Sequence, residues 1–232
     1  MKNIFKEWSL FEICFLTLSI LIISFCFILI PNKNISSLIV SILGIITVIS
    51  GAKGLIISPF INIIYNIIYI IICFSQKFYG EVIIYSFILT PLNIITINSW
   101  LKNRSKENKN IVKVNKLSIK EYYILGILTI LITICFYFLL KSLNTNSLLI
   151  STLSLTDSFV ATYLLFRRCS NYALAYIVND IILITLWLTT ISTEKMTHLP
   201  IIISFVIFLI NDIYGLTLWK KREKVQNTKT DN

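Results

Sequence analysis

The sequence predicts an all-α polytopic membrane protein of eight transmembrane helices, one N-terminal helix followed by a 3+1+3 parallel repeat. Three observations predict it. The 232 residues are 56% hydrophobic and only 14% charged, against about 25% charged in a soluble domain. The apolar residues fall in successive blocks about as long as the 20 or so residues that span a bilayer core. The basic residues gather in alternate joints between those blocks. Together these exclude a soluble enzyme, a nucleic-acid-binding domain and a disordered chain.

The blocks run over 9–30, 35–52, 55–74, 80–101, 120–141, 147–166, 171–192 and 198–219. Breakers mark the joints: Pro31 to Asn34, Lys53-Gly54, Ser75 to Lys77, the 102–119 stretch, Ser142 to Asn146, Arg167-Arg168, and Thr193 to Lys195. The thinnest joint is Ser50 to Gly54, between the second and third blocks. The first block has Lys2 and Lys6 ahead of it, as a signal peptide would. However, it is too long for an h-region, carries Glu12 and lacks a small-x-small site, so it is read as an uncleaved helix.

The formal charge of +10 is topological. With both termini cytoplasmic, the inner segments hold 17 lysines and arginines and the outer ones only Lys33, Lys77, Lys141 and Lys195. That bias is the positive-inside pattern, and it requires an even number of spans. The expected location is the plasma membrane, with some attraction to anionic head groups and no nucleic-acid partner. The five cysteines stand singly, without a C-x-x-C, and read as small apolar residues. The single His198 lies at an outer helix end and reads as interfacial. No metal or cofactor is expected.

Positions suggest an internal repeat. Two three-helix units end alike, in NSWLKNR at 98–104 and LTLWKKRE at 216–223. In each unit the first helix exits on a base, Lys53 or Arg167-Arg168, and the middle helix carries a polar pair, Tyr65-Asn66 or Asn179-Asp180. A single helix between the units turns both to face the same way, an arrangement found in transporters. The expected division is 1–34 (N-terminal helix), 35–104 (first repeat), 105–146 (solvated linker and connecting helix), 147–222 (second repeat) and 223–232 (tail).

Charge at mid-membrane costs about 2.5–3.5 kcal/mol on insertion scales. Even so, Asp157, Asp180 and Asp212 sit there, at the depth of Asn62, Asn66, Thr90, Asn93 and Asn211. Helical spacing sorts these residues into stripes. One holds Asn62, Tyr65, Asn66 and Tyr69. A second holds Tyr172, Tyr176, Asn179, Asp180, Leu183 and Trp187. A third holds Phe208, Asp212, Gly215 and Trp219. Aromatic faces beside amides and carboxylates suit a flat heteroaromatic ring joined to a hydroxylated part. The candidate substrate-binding residues are Asn62, Asn66, Tyr69, Asn93, Tyr176, Asn179, Asp180, Asn211 and Asp212. Such polar residues also serve as glue between membrane helices. Trp8, Trp100 and Trp219 read as interfacial belt residues, and Asp157 as a capping or pairing group.

These residues carry a family resemblance. Residues 41–104, with AKG at 52–54, FYG at 78–80 and the spaced Pro91 and Trp100, resemble the first triplet of the PnuC family of vitamin transporters. YLLFRR at 163–168, AYIVNDI at 175–181 and YGLTLWKKR at 214–222 resemble its second triplet. The resemblance implies a SWEET-like 3+1+3 fold with an extra N-terminal helix and a trimeric assembly. It also implies facilitated diffusion of nicotinamide riboside, or of thiamine, riboflavin or nucleosides in other members, with trapping by a cytosolic kinase. The chain departs from the family pattern at Asn93, Thr96, Ala173 and Tyr176 and keeps Asp180.

The expected function is therefore a transporter of a vitamin-like nucleoside, not an enzyme. Proton coupling through Asp180 or Asp212 is a variant of that reading. A substrate-binding subunit that needs an ATPase partner is the rival. An intramembrane enzyme would need acid, base or metal clusters that the sequence does not offer.

Overall fold

The computed structural model describes residues 8–31, 33–106, 108–145, 147–189 and 197–228. Among them are eight helical rods: α1 (Leu10–Leu29), α2 (Ile35–Ala52), α3 (Ser58–Ser75), α4 (Tyr79–Lys102), α5 (Ile119–Ser142), α6 (Leu148–Phe166), α7 (Tyr172–Leu188) and α8 (Leu199–Thr228). Seven are long and apolar enough to cross a membrane. The remaining one, α7, has 17 described residues, about 26 Å of helix at 1.5 Å per residue. The last residues of the span expected over 171–192 lie outside the described residues.

Local chemistry sets the ends. Ser9 and Glu12 form a capping box at α1, and Ser118 and Glu121 another at α5. The thin joint between the second and third blocks is a real turn. Lys53 caps α2, Gly54 takes φ +63°, which favours glycine, and Pro59 stands in the first turn of α3. Within α4 the turn over Tyr85–Leu89 widens to a π-helix. Pro91, just beyond, has no N–H to give to the preceding turn, and the wide turn accommodates that gap.

Taken in chain order as a first helix group, α2–α4, and a second, α6–α8, the six helices close a ring in which α2 packs on α8 and α4 on α6, with α1 laid on α2 and α8. The α5 helix is the most lipid-exposed, with only Leu125 and Leu140 buried. The apolar interior forms two clusters. One lies toward the end of the bundle that carries His198, around Tyr69, Phe78, Trp187 and Phe205. The other lies toward the basic end, around Trp100, Val112, Tyr172 and Trp219.

Three sequence expectations change here. Trp100 and Trp219 are fully buried and not at a lipid interface. Their rings lie 6.1 Å apart, and their indole N–H groups donate to the Leu165 carbonyl and to the Gly51 and Ala52 carbonyls. The reason is helical phase, which turns both inward. His198 is also buried, with Nδ1 3.0 Å from Ser37 Oγ and its ring 5.3 Å from that of Trp187. The polar linker is not simply solvated. Residues 103–106 and 108–115 lie across the basic end, making single β-bridges Leu55–Ile111, Arg104–Val112 and Asn115–Cys169, and they bury Val112 and Val114.

The α1 helix is fixed at the basic end by a buried ion pair. Glu12 Oε2 accepts from Lys53 Nζ at 2.6 Å, Glu12 Oε1 accepts from Tyr214 at 3.2 Å, and the ammonium lies 5.3 Å from the Trp8 ring centre. Removing one partner of such a pair leaves an uncompensated buried charge, which costs about 3–5 kcal/mol. Glu12→Ala should therefore lower the unfolding temperature of the detergent-purified protein markedly. Glu12→Leu combined with Lys53→Met should recover most of the loss, as read by tryptophan fluorescence on heating.

Candidate functional site

The site is a cavity between the two helix groups, with about 80 Å³ of room for water centres. One water needs on the order of 10–15 Å³ by that measure, so the cavity holds several. Its walls come from α2 (Gly44, Thr47, Gly51), α3 (Ser58, Asn62, Tyr65, Asn66), α4 (Tyr85, Leu89, Asn93), α6 (Ser158, Thr162, Leu165), α7 (Tyr172, Tyr176, Asn179, Asp180) and α8 (Phe205, Phe208, Asp212). In α4 the wide turn and Pro91 precede Asn93, so that Tyr85, Leu89 and Asn93 all reach the cavity. At Gly44, any side chain would overlap the Phe208 ring, so the close approach of α8 to α2 depends on glycine there.

Seven of the nine residues selected from the sequence line this cavity: Asn62, Asn66, Asn93, Tyr176, Asn179, Asp180 and Asp212. The other two stand behind the wall. Tyr69 is fully buried and its hydroxyl accepts from Trp187 Nε1 at 2.8 Å. Asn211 donates to Asp212 Oδ1 at 3.2 Å. Asp157 lies off the cavity wall on α6, and its Oδ2 has no hydrogen-bond partner.

Polar contacts order the wall. On one side Asn62 Nδ2 approaches Asn93 Oδ1 at 3.4 Å, and Asn66 Nδ2 donates to Thr90 Oγ1 at 3.2 Å. On the other side Asn179 Nδ2 donates to Ser158 Oγ at 2.8 Å, and Tyr176 shares a 3.0 Å bond with Thr162. Two buried atoms at the cavity have no partner among the described residues, Asn93 Nδ2 and Asp180 Oδ2. One is a donor and the other an acceptor, so the cavity offers both kinds of bond to a polar ligand.

Asp180 and Asp212 both line the cavity, and no cation pairs with either among the described residues. Two carboxylates that share a buried site cannot both stand as free anions. A proton held between them or a positive ligand resolves the conflict.

Aromatic layers lie toward both ends of the cavity. Toward His198, Tyr69 stacks on Tyr65 at 5.4 Å and meets Tyr85 at 4.7 Å, while Phe78 meets Trp187 at 5.3 Å and Phe205 meets Phe208 at 5.4 Å. Toward the basic end, Tyr172 meets Trp219 edge-on at 4.8 Å, and its hydroxyl donates to the Gly51 carbonyl.

Sequence reasoning missed Thr47, Ser58, Tyr85, Ser158 and Thr162 as wall residues. For α6 a signal was present. Ser151, Ser154, Ser158 and Thr162 recur at helical spacing and are all buried, forming a polar stripe on one face.

Replacing Asp180 or Asp212 by Asn removes one of two like charges. Either variant should raise the unfolding temperature of the ligand-free protein by a few degrees, roughly 1 kcal/mol of stabilisation. A drop in a detergent melting experiment would show that the carboxylate pair is held by something other than mutual repulsion.

The comparisons agree with the geometry. A solved structure described as the crystal structure of the vitamin B3 transporter PnuC superposes with a TM-score of 0.83 at 23% identity, covering 94% of each chain. The chain is 23% identical over 227 residues to the nicotinamide riboside transporter PnuC of Neisseria mucosa, spanning 96% of this chain and 86% of that protein. The family profile described as "Nicotinamide mononucleotide transporter" matches residues 34–221. That match takes in all of α2 to α7 and α8 through Lys221, so the chain belongs to this family of membrane transporters, the PnuC family that its sequence resembles.

Proposed function

We propose that the chain carries nicotinamide riboside, or a closely related vitamin-like nucleoside, across the plasma membrane by facilitated diffusion, with both termini cytoplasmic. The observation that carries this reading is the aromatic-lined cavity with room for several waters, with two carboxyls in its wall and, among the described residues, no positive side chain lining it. A positively charged heteroaromatic ring answers both needs. It stacks on Tyr65, Tyr176 and Phe208, all in the cavity wall, and brings the charge that Asp180 and Asp212 lack. The hydroxylated part then falls to Asn62, Asn66, Asn93 and Asn179. The curated relative from Neisseria mucosa supports the same substrate by its name. Thiamine shares the cationic ring and is the first alternative. Riboflavin and neutral nucleosides leave the carboxylate pair unanswered.

The two helix groups act as the two repeats of an alternating-access carrier. Bonds between them close each end. At the His198 end they are Tyr69 to Trp187 and Ser37 to His198. At the basic end they are Trp219 to Gly51 and Ala52, Tyr172 to Gly51, and Trp100 to Leu165. Releasing one set while keeping the other opens the cavity to one side only. Assembly as a trimer and trapping of the substrate by a cytosolic kinase are part of this proposal, carried by the family resemblance.

Proton coupling is a second reading, favoured by Asp180 and Asp212 lining the same cavity. Intramembrane acids serve as proton relays elsewhere.

Purified protein should bind nicotinamide riboside in the micromolar range, about −8 kcal/mol, and reconstituted liposomes should take it up without any partner protein. Asp180→Asn and Asp212→Asn should each weaken binding by about tenfold or more, or 1.4 kcal/mol, and should change the affinity of an uncharged nucleoside far less. No binding or flux across nicotinamide riboside, thiamine, riboflavin and nucleosides defeats the proposal. Flux that appears only with an ATPase favours the subunit reading. Uptake that follows an imposed pH gradient establishes the proton-coupled form.

A further inference from the structure

Glu81 is a fully buried carboxyl outside the cavity wall. It stands in the first turn of α4, toward the His198 end of the bundle. None of the ion pairs among the described residues includes it. Among the described residues its one hydrogen bond is to Ser154 on α6, whose hydroxyl donates to Glu81 Oε1 at 2.6 Å, and its Oε2 has no partner there. Burying a carboxyl with so little compensation costs several kcal/mol, so the position invites a use.

The use lies one step further along the network. The Ser154 backbone carbonyl accepts from Asn179 Nδ2 at 3.3 Å, and the same nitrogen donates to Ser158 Oγ at 2.8 Å. A carbonyl oxygen only accepts, so this contact fixes which end of the Asn179 amide faces α6. With both N–H bonds spent there, Oδ1 is the atom left to meet a donor in the cavity. Ser154 itself behaves unusually for a hydroxyl in a helix. Its neighbours Thr152 and Thr156 turn back to the carbonyls four residues before them, at 2.8 and 2.9 Å, whereas Ser154 reaches across to Glu81. Gly80 makes that reach possible. A Cβ there would lie 3.2 Å from Ser151 Cβ and 3.2 Å from Leu140 Cδ1, so α4 approaches α6 closely at this level.

We propose that Glu81 is a positioning residue for substrate recognition: through Ser154 it fixes the α6 backbone that holds Asn179, so that Asn179 Oδ1 receives a hydroxyl donor of the ligand. The bond from Glu81 to Ser154 also joins the first helix group to the second, so recognition at Asn179 depends on the two groups being together. This inference rests on the reading of the cavity as the substrate site.

The test is isothermal titration of the full-length protein in nanodiscs with nicotinamide riboside, using Glu81→Ala, Glu81→Gln, Ser154→Ala and Asn179→Ala singly and in pairs. Gln keeps an acceptor for Ser154, so Glu81→Gln should stay within about threefold of the parent, while Glu81→Ala and Ser154→Ala should each weaken binding by roughly five- to tenfold. Adding Glu81→Ala to Asn179→Ala should cost nothing more, because the two residues act as one unit. Ser154→Ala, with a good helix former at its position, provides the same reading if Glu81→Ala does not fold. The inference is overturned if Asn179→Ala weakens binding but Glu81→Ala and Ser154→Ala leave it unchanged, or if the losses multiply in the doubles. If Asn179→Ala itself binds like the parent, the cavity reading fails, and the role of Glu81 goes with it.

Discussion

A polar group inside a membrane has no water to turn to, so it must find its partner within the protein. That constraint organises this chain. Six of its eight rods carry amides, hydroxyls or carboxyls at mid-depth, and each turns them toward one shared cavity. The two remaining rods, α1 and α5, contribute nothing to that wall. They meet lipid over most of their surface and carry their charged side chains in their first or last turns. The same logic explains the buried pair of Glu12 and Lys53. Each is costly alone, but together with Tyr214 and the capping box they bond one another fully and fix α1 to the bundle.

Much of the fold was legible because the bilayer imposes a length on every helix and a sign on every joint. Much of the wall was legible because Asn and Asp are expensive in hydrocarbon, so a stripe of them at helical spacing points inward. Asn62, Asn66, Asn179, Asp180 and Asp212 were found this way. Ser158 and Thr162 were not, because a hydroxyl can satisfy itself on its own helix and carries little cost to betray it. Tyr85 was hidden by the π turn, which breaks the 3.6-residue period on which any stripe depends.

The tryptophans show a different limit. A Trp near a helix end has two common uses, a lipid-interface anchor or an interior packing group, and depth cannot separate them. Phase can. Trp219 continues the face of Asp212 and Gly215, and Trp100 continues that of Asn93 and Thr96, both of which are buried. Glu81 escaped notice for a similar reason. An acid in a first helical turn normally answers the helix dipole at the surface, and only the close approach at Gly80 puts this one inside. Likewise, Val112 and Val114 are two apolar residues in a basic run, and only the β-bridges show why they alternate.

On the proposed reading of a carrier that uses no fuel, the two sets of bonds that join the helix groups have an energetic meaning. A hydrogen bond inside a protein is worth about 0.5–1.5 kcal/mol net. Two such bonds join the groups at the His198 end and four at the basic end, so parting one set costs a few kcal/mol and leaves the open form a minor population. Heat alone can supply that. Parting both sets at once squares the improbability, so the membrane keeps its ion gradients while a solute passes through.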